Sequence, residues 1–209
     1  SADIVAIGAM AGIIISILDR TGLGQALTLL LASVGEDSIF LLLVLTAIVS
    51  ILLGMGMPTS AIYLLLATMI APSLVKLGIN PIAAHMFVLY FGLMSMITPP
   101  VAIAAFAAAS LSGAKPMETG VTAVRLGWIA YIIPFVFVLS PALLGQGSAF
   151  QIIEASVTAA IGVWVGSCGL IGFVFGPQNN FNRLLLFVAG VLLLLPASTI
   201  DYGFAINGI

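Results

Sequence analysis

Two short runs concentrate the groups able to hold a small ion, Gly54-Met55-Gly56-Met57-Pro58-Thr59-Ser60 and Ser95-Met96-Ile97-Thr98-Pro99-Pro100. Thr59, Ser60, Ser95 and Thr98 offer neutral hydroxyl oxygens, and Gly54 and Gly56 let backbone carbonyls approach a ligand closely. Pro58, Pro99 and Pro100 remove amide donors and stop helices. Neutral oxygens of this kind suit Na⁺ held weakly and reversibly, with no carboxylate required. Both runs interrupt long apolar stretches. Non-helical backbone within a bilayer is tolerated only where it is buried in protein or lines a hydrated cavity. A broken helix presents carbonyls at one half-helix end and amides at the other, which suit a cation and an anionic group respectively. A single Gly-x-Gly or Pro-Pro marks a packing notch or a kink more often than a site. The pairing of two breaks in neighbouring segments favours the site.

The elements that must position these runs are membrane helices. The 209 residues are 62% apolar and 6% charged, with a mean hydropathy of +1.33, whereas about a quarter of residues in soluble domains carry charge. The net charge of −2 includes no run of like charges, which argues against nucleic-acid binding and against a polybasic lipid patch. The single cysteine, Cys168, excludes an intrachain disulfide and a cysteine metal cluster, and it reads as a buried, inert thiol. The chain opens at Ser1 without a basic segment ahead of an apolar core, so no signal peptide is read there, and its start reads as a truncation of something longer.

About 20 apolar residues cross the hydrocarbon layer. Residues 4–34 are apolar but broken by Asp19, Arg20, Gly22 and Gly24, giving one broken span or two partial ones. Residues 39–53 and 61–75 are each about 15 long, short of a comfortable crossing, and the first run joins them; that shape is a re-entrant hairpin, over about 38–77. Residues 81–111 form a spanning helix unwound at 94–101. Residues 121–144 span once with a kink at Pro134, and 150–175 and 183–198 span after it. If the hairpin returns to the side it left, Lys115, Arg125 and Arg183 share one face, opposite Lys76, Glu36, Asp37, Glu154 and Asp201. The basic excess places loops 112–120 and 176–182 in the cytoplasm, with the hairpin base and C-terminus outside. A hairpin crossing fully in both directions gives the same sides.

The remaining polar and aromatic residues carry less. His85 reads as a hydrogen-bonded structural histidine ahead of a proton relay, and Asp19 and Arg20 pair with other helices or snorkel. Trp128, Tyr131 and Trp164 read as interfacial anchors or packing residues. Catalysis lacks support: there is no Gly-x-Ser-x-Gly, no His-Glu-x-x-His, and one histidine, so no catalytic residue and no cofactor are assigned.

The segments "GMGMPT", "NPIAAHMFV" and "ITPPVA" together resemble the C-terminal half of the large membrane subunit of tripartite ATP-independent periplasmic (TRAP) transporters, over residues 2–144. The tail "FGPQNNFNRLLLFVAGVLLLLPA" resembles the extra helices of members in which small and large subunits are fused, which divides the chain at 1–144 and 145–209. The resemblance implies an all-α, polytopic helical bundle with a re-entrant hairpin and a broken transmembrane helix, one of two inverted repeats of an elevator-type ion transporter. It implies a multi-pass protein of the bacterial inner membrane, with residues 54–60 and 95–100 enclosing a sodium site that uses Gly54, Gly56, Thr59 and Thr98. Its substrate is a small organic acid, often a dicarboxylate, received from a periplasmic substrate-binding protein and driven by Na⁺ as the coupling ion. The first repeat and the small-subunit helices are the parts this chain lacks. In keeping with that energy source, no Gly-x-x-x-x-Gly-Lys-Ser/Thr loop is present. The alternative is a non-transporting scaffold or accessory subunit docking through the glycine face of Gly162, Gly166 and Gly169; an intramembrane enzyme using His85 comes third.

Overall fold

The computed structural model describes residues 38–195 continuously and, before them, Ala9, Gly12, Ile13, Ser16, Ile17, Arg20, Thr21, Gly22, Ala26, Leu29, Leu30, Leu31 and Ser33. Asp19, Gly24, Glu36, Asp37 and Asp201 lie outside the described residues. The described residues are helical, with a single isolated bridge between Phe173 and Pro177 and no strand among them. The helices are α1 (Ile39–Gly54), α2 (Thr59–Met69), α3 (Ala71–Lys76), α4 (Pro81–Met94), α5 (Ile103–Ser112), α6 (Pro116–Leu126), α7 (Ile129–Leu139), a 3₁₀ turn (Pro141–Leu144), α8 (Ala149–Ile171) and α9 (Asn180–Leu193). Three stretches are long and apolar enough to cross a membrane, Thr59–Lys76, Pro116–Leu139 and Ala149–Ile171, while α1, α4, α5 and α9 are apolar but shorter.

Local chemistry sets the boundaries. The Ser38 hydroxyl accepts the amide of Leu41 and starts α1, whose end is turned by Gly56 at φ +82°. Pro58, extended at φ −62° and ψ 148°, then starts α2. Asn80 Oδ1 accepts the amides of Ile82 and Ala83 at 2.9 and 3.4 Å, with Pro81 at the first helical position of α4. Ser148 and Gln151 form a reciprocal cap on α8.

The chain divides into two compact units, Ser1–Pro134 and Phe135–Ile209. In the first, α4 lies against α1, α2 and α3, and buries Ala83, Ala84, Phe87, Val88 and Phe91. The rings of Phe87 and Phe91, one turn apart on α4, stand 4.8 Å apart, an aromatic contact within that buried face. Gly92 makes the approach of α2 possible, because a Cβ there would sit 2.5 Å from Ile62 and 2.7 Å from Leu66. In the second unit, α8 pairs with α9.

Several expectations are corrected by these contacts. The single span expected at 121–144 lies over Pro116–Leu139, and its interruption is a turn at Gly127–Trp128 between α6 and α7, not a kink at Pro134. Pro134 lies inside α7. Gly162 and Gly169 do not offer a face to a partner, because backbone of α9 already occupies it. A Cβ on Gly162 would meet Gly190 O at 2.8 Å, one on Gly169 would meet Phe187 N at 2.6 Å, and one on Gly190 would collide with Gly166 N and Cα. The accessory-subunit alternative thereby loses the docking surface it relied on. Arg183, expected at the start of the last span, lies in the first turn of α9 and donates to the carbonyls of Gly169 (3.3 Å) and Leu170 (2.9 Å) at the end of α8. Cys168 is half-buried rather than enclosed.

Candidate functional site

The two interruptions read from the sequence are non-helical in the structure, and they meet. Met55–Pro58 separates α1 from α2, and Ser95–Ala102 separates α4 from α5, with a cis peptide between Pro99 and Pro100. The C-terminal ends of α1 and α4 are joined by Ser95, whose buried hydroxyl lies 2.9 Å from Gly54 O and 2.6 Å from Gly92 O. A Cβ on Gly54 would stand 2.7 Å from Gly92 O and 2.9 Å from Ser95 Oγ, so this contact requires glycine. Gly56, by contrast, has no atom within 4 Å of where its Cβ would lie, and its φ of +82° is what demands glycine.

Helix C-termini carry unpaired carbonyls and a partial negative charge. Two of them converge here, on a pair of segments with no charged side chain, and that arrangement favours a small cation with oxygen ligands. On the far side of each break a helix begins, α2 at Thr59 and α5 at Ile103, neither with a side-chain cap. Those ends present amide donors, the complement for an anionic group.

The predicted site residues fall into groups. Gly54 and Ser95 are buried and hydrogen-bonded to each other; Met55, Met57, Met96, Thr98 and Pro99 are half-buried; Gly56, Pro58, Thr59, Ser60 and Pro100 are exposed. Thr98 is drawn to its own helix and to α7: its Oγ1 lies 2.5 Å from Met94 O and 2.7 Å from the Tyr131 hydroxyl. No hydrogen bond joins Thr98 to residues 54–60 among the described residues. The region beside the break is held by close approaches of α6 and of the turn after it, where a Cβ on Gly120 would lie 3.0 Å from Pro99 and one on Gly127 would lie 3.1 Å from Ile97.

Sequence reasoning missed Tyr131, which it treated as an anchor or packing residue. Nothing in its local sequence points to Thr98, 33 residues earlier. His85 bonds through Nδ1 to the Tyr63 hydroxyl at 3.2 Å, a link between α2 and α4. Of the aromatic residues, Trp128 is buried and Trp164 is exposed.

Residues 1–152 match the family model of the tripartite ATP-independent periplasmic transporter, DctM component. The chain belongs to this family. No curated protein and no solved structure matches it. As a DctM component it is a membrane permease, of a family of transporters and not of enzymes. The match covers both interruptions, all of the first compact unit and the start of the second.

Proposed function

We propose that this DctM chain is part of a sodium-coupled, binding-protein-dependent permease for small organic acids, and that its two interruptions hold the coupling ion. The observation that carries the reading is the meeting of two helix C-termini at Gly54 and Ser95, in an apolar chain and without a carboxylate. Carbonyls at the tip between α1 and α2 and the hydroxyl of Thr98 supply the ion's oxygens, and the start of α2, with the first-turn amides of α5 other than Ala104 N, which Met96 O already accepts, faces the carboxylate of the substrate. In this reading α1 to α3 form a re-entrant hairpin and α4–α5 a broken membrane helix, together one repeat of an elevator carrier in the bacterial inner membrane. A second repeat supplies the facing half of the pocket, and residues 145–209 are the added helices of a fused permease. DctM components work with a periplasmic binding protein and a small subunit, and we assign this chain the same partners, with sodium moving as cargo.

Thermal unfolding of the purified chain in detergent tests the ion site, with NaCl titrated against KCl at constant ionic strength. Sodium should raise the melting temperature and potassium should not. Thr98→Val should shift the half-saturating sodium concentration upward about tenfold to a hundredfold, the equivalent of about 1–3 kcal/mol for a ligand hydroxyl in a poorly hydrated pocket. Equal stabilisation by the two salts would remove the ion from this site.

A further inference from the structure

We propose that Tyr131 is a positioning residue for the ion site, which fixes the direction in which the Thr98 oxygen presents its remaining lone pair. This rests on the reading of Thr98 as a ligand. Thr98 Oγ1 has one hydrogen and two near neighbours, Met94 O and the Tyr131 hydroxyl. A carbonyl accepts and never donates, so the Thr98 hydrogen is committed to Met94 O. The short contact with Tyr131 then has one direction, with tyrosine donating to threonine.

Two consequences follow for the geometry of the site. Met94 O also receives the amides of Ile97 (3.1 Å) and Thr98 (3.0 Å), so three donors crowd it and it is spent as an ion ligand. Thr98 Oγ1, with one lone pair occupied by Tyr131 and its hydrogen on Met94, has a single lone pair left, and its direction is set by the other two bonds. Without the phenol, two lone pairs stay open and a cation can settle against either. The support behind Tyr131 is stiff: α7 begins two residues earlier, after buried Trp128 and after Gly127, which touches Ile97 of the break. All of these residues belong to the first compact unit.

The test is a double-mutant cycle read by sodium titration of the melting temperature, on the purified chain in detergent. Tyr131→Phe keeps the ring and removes the donor. It should raise the half-saturating sodium concentration about threefold to tenfold, the equivalent of one net hydrogen bond. In a Thr98→Val background the same change should have no further effect on sodium, because the oxygen it orients is gone. A residue with a packing role alone would lower the melting temperature equally in both backgrounds and leave the sodium dependence alone; that result overturns the proposal. A shift with Thr98→Val but none with Tyr131→Phe overturns it while leaving the ion site standing. No sodium response in the parent removes both. As a second readout in the parent protein, 3-fluorotyrosine incorporated at position 131 should show a fluorine resonance that moves with sodium at the same half-saturation and stays fixed with potassium. A resonance indifferent to sodium also overturns the proposal.

Discussion

A methyl group added at Gly54 meets Gly92 O at 2.7 Å, while one added at Gly56 meets nothing. The two glycines of one motif are therefore constrained by different physics, and the same substitution should fail in different ways. Gly54→Ala should cost about 1–3 kcal/mol through overpacking and push the end of α1 from Ser95. Gly56→Ala should cost about 1–2 kcal/mol through its left-handed backbone, with the contact between tip and break preserved. Thermal unfolding with and without sodium separates them: Gly54→Ala should blunt the sodium response, and Gly56→Ala should lower the melting temperature with less change in that response. From the sequence alone both glycines read as a device for bringing carbonyls close. The difference between them was not legible, because it depends on Gly92 and Ser95, far along the chain.

At the scale of elements, hydropathy and helix-breaking residues carried most of the reading. The helices α1, α2 and α3, and α4 and α5 on either side of the second interruption, lie within a few residues of where the apolar runs and the prolines place them. The turn at Gly127–Trp128 was not legible, since an apolar run continues through it; in the structure it falls where Gly127 comes close to Ile97 of the break. The seam between α1 and α4 holds a further test. Thr46 and Ser50 are fully buried on α1, and their hydroxyls have no hydrogen-bond partner among the described residues, whereas Ser95 reaches across to Gly54. Thr46→Val, which keeps the shape and removes the hydroxyl, should be neutral or stabilising by up to about 1 kcal/mol. Ser95→Ala should destabilise by about 1–3 kcal/mol, because it deprives buried carbonyls of a donor. Equal losses from the two changes, measured by thermal unfolding, would mean that the Thr46 hydroxyl has a partner of its own.

At the scale of the molecule, the candidate ion site belongs to the first compact unit and the glycine-mediated helix pair to the second. The family match, ending at residue 152, reaches only the opening of that pair. Gly190→Leu forces a side chain into Gly166 and should separate α8 from α9, at a cost of at least about 1–3 kcal/mol. Limited proteolysis should then cut the connection between those helices, around residues 173–179, faster than in the parent, while the half-saturating sodium concentration of the chain stays the same. A sodium response lost together with the helix pair would mean that the site needs the second unit. The assignment of that pair as an addition to a permease came from the wording of the tail, and its packing came only from the structure, because Gly162, Gly166 and Gly169 look alike whether they face a neighbour in the same chain or in another.

The Ser95 hydroxyl has one hydrogen and two carbonyls within reach, Gly54 O across the seam and Gly92 O in its own helix. It works as a bolt with two keepers. Rotating one bond, a motion on the picosecond-to-nanosecond scale for side chains, moves the hydrogen from the hairpin to the helix and leaves serine satisfied either way. Gly54 O keeps the weaker company of the Met57 amide at 3.5 Å. Unlatching the tip thus exchanges one hydrogen bond of the serine for another, and its cost is that of leaving buried Gly54 O to the Met57 amide alone, no more than the penalty of about 1–3 kcal/mol for an unmet buried acceptor.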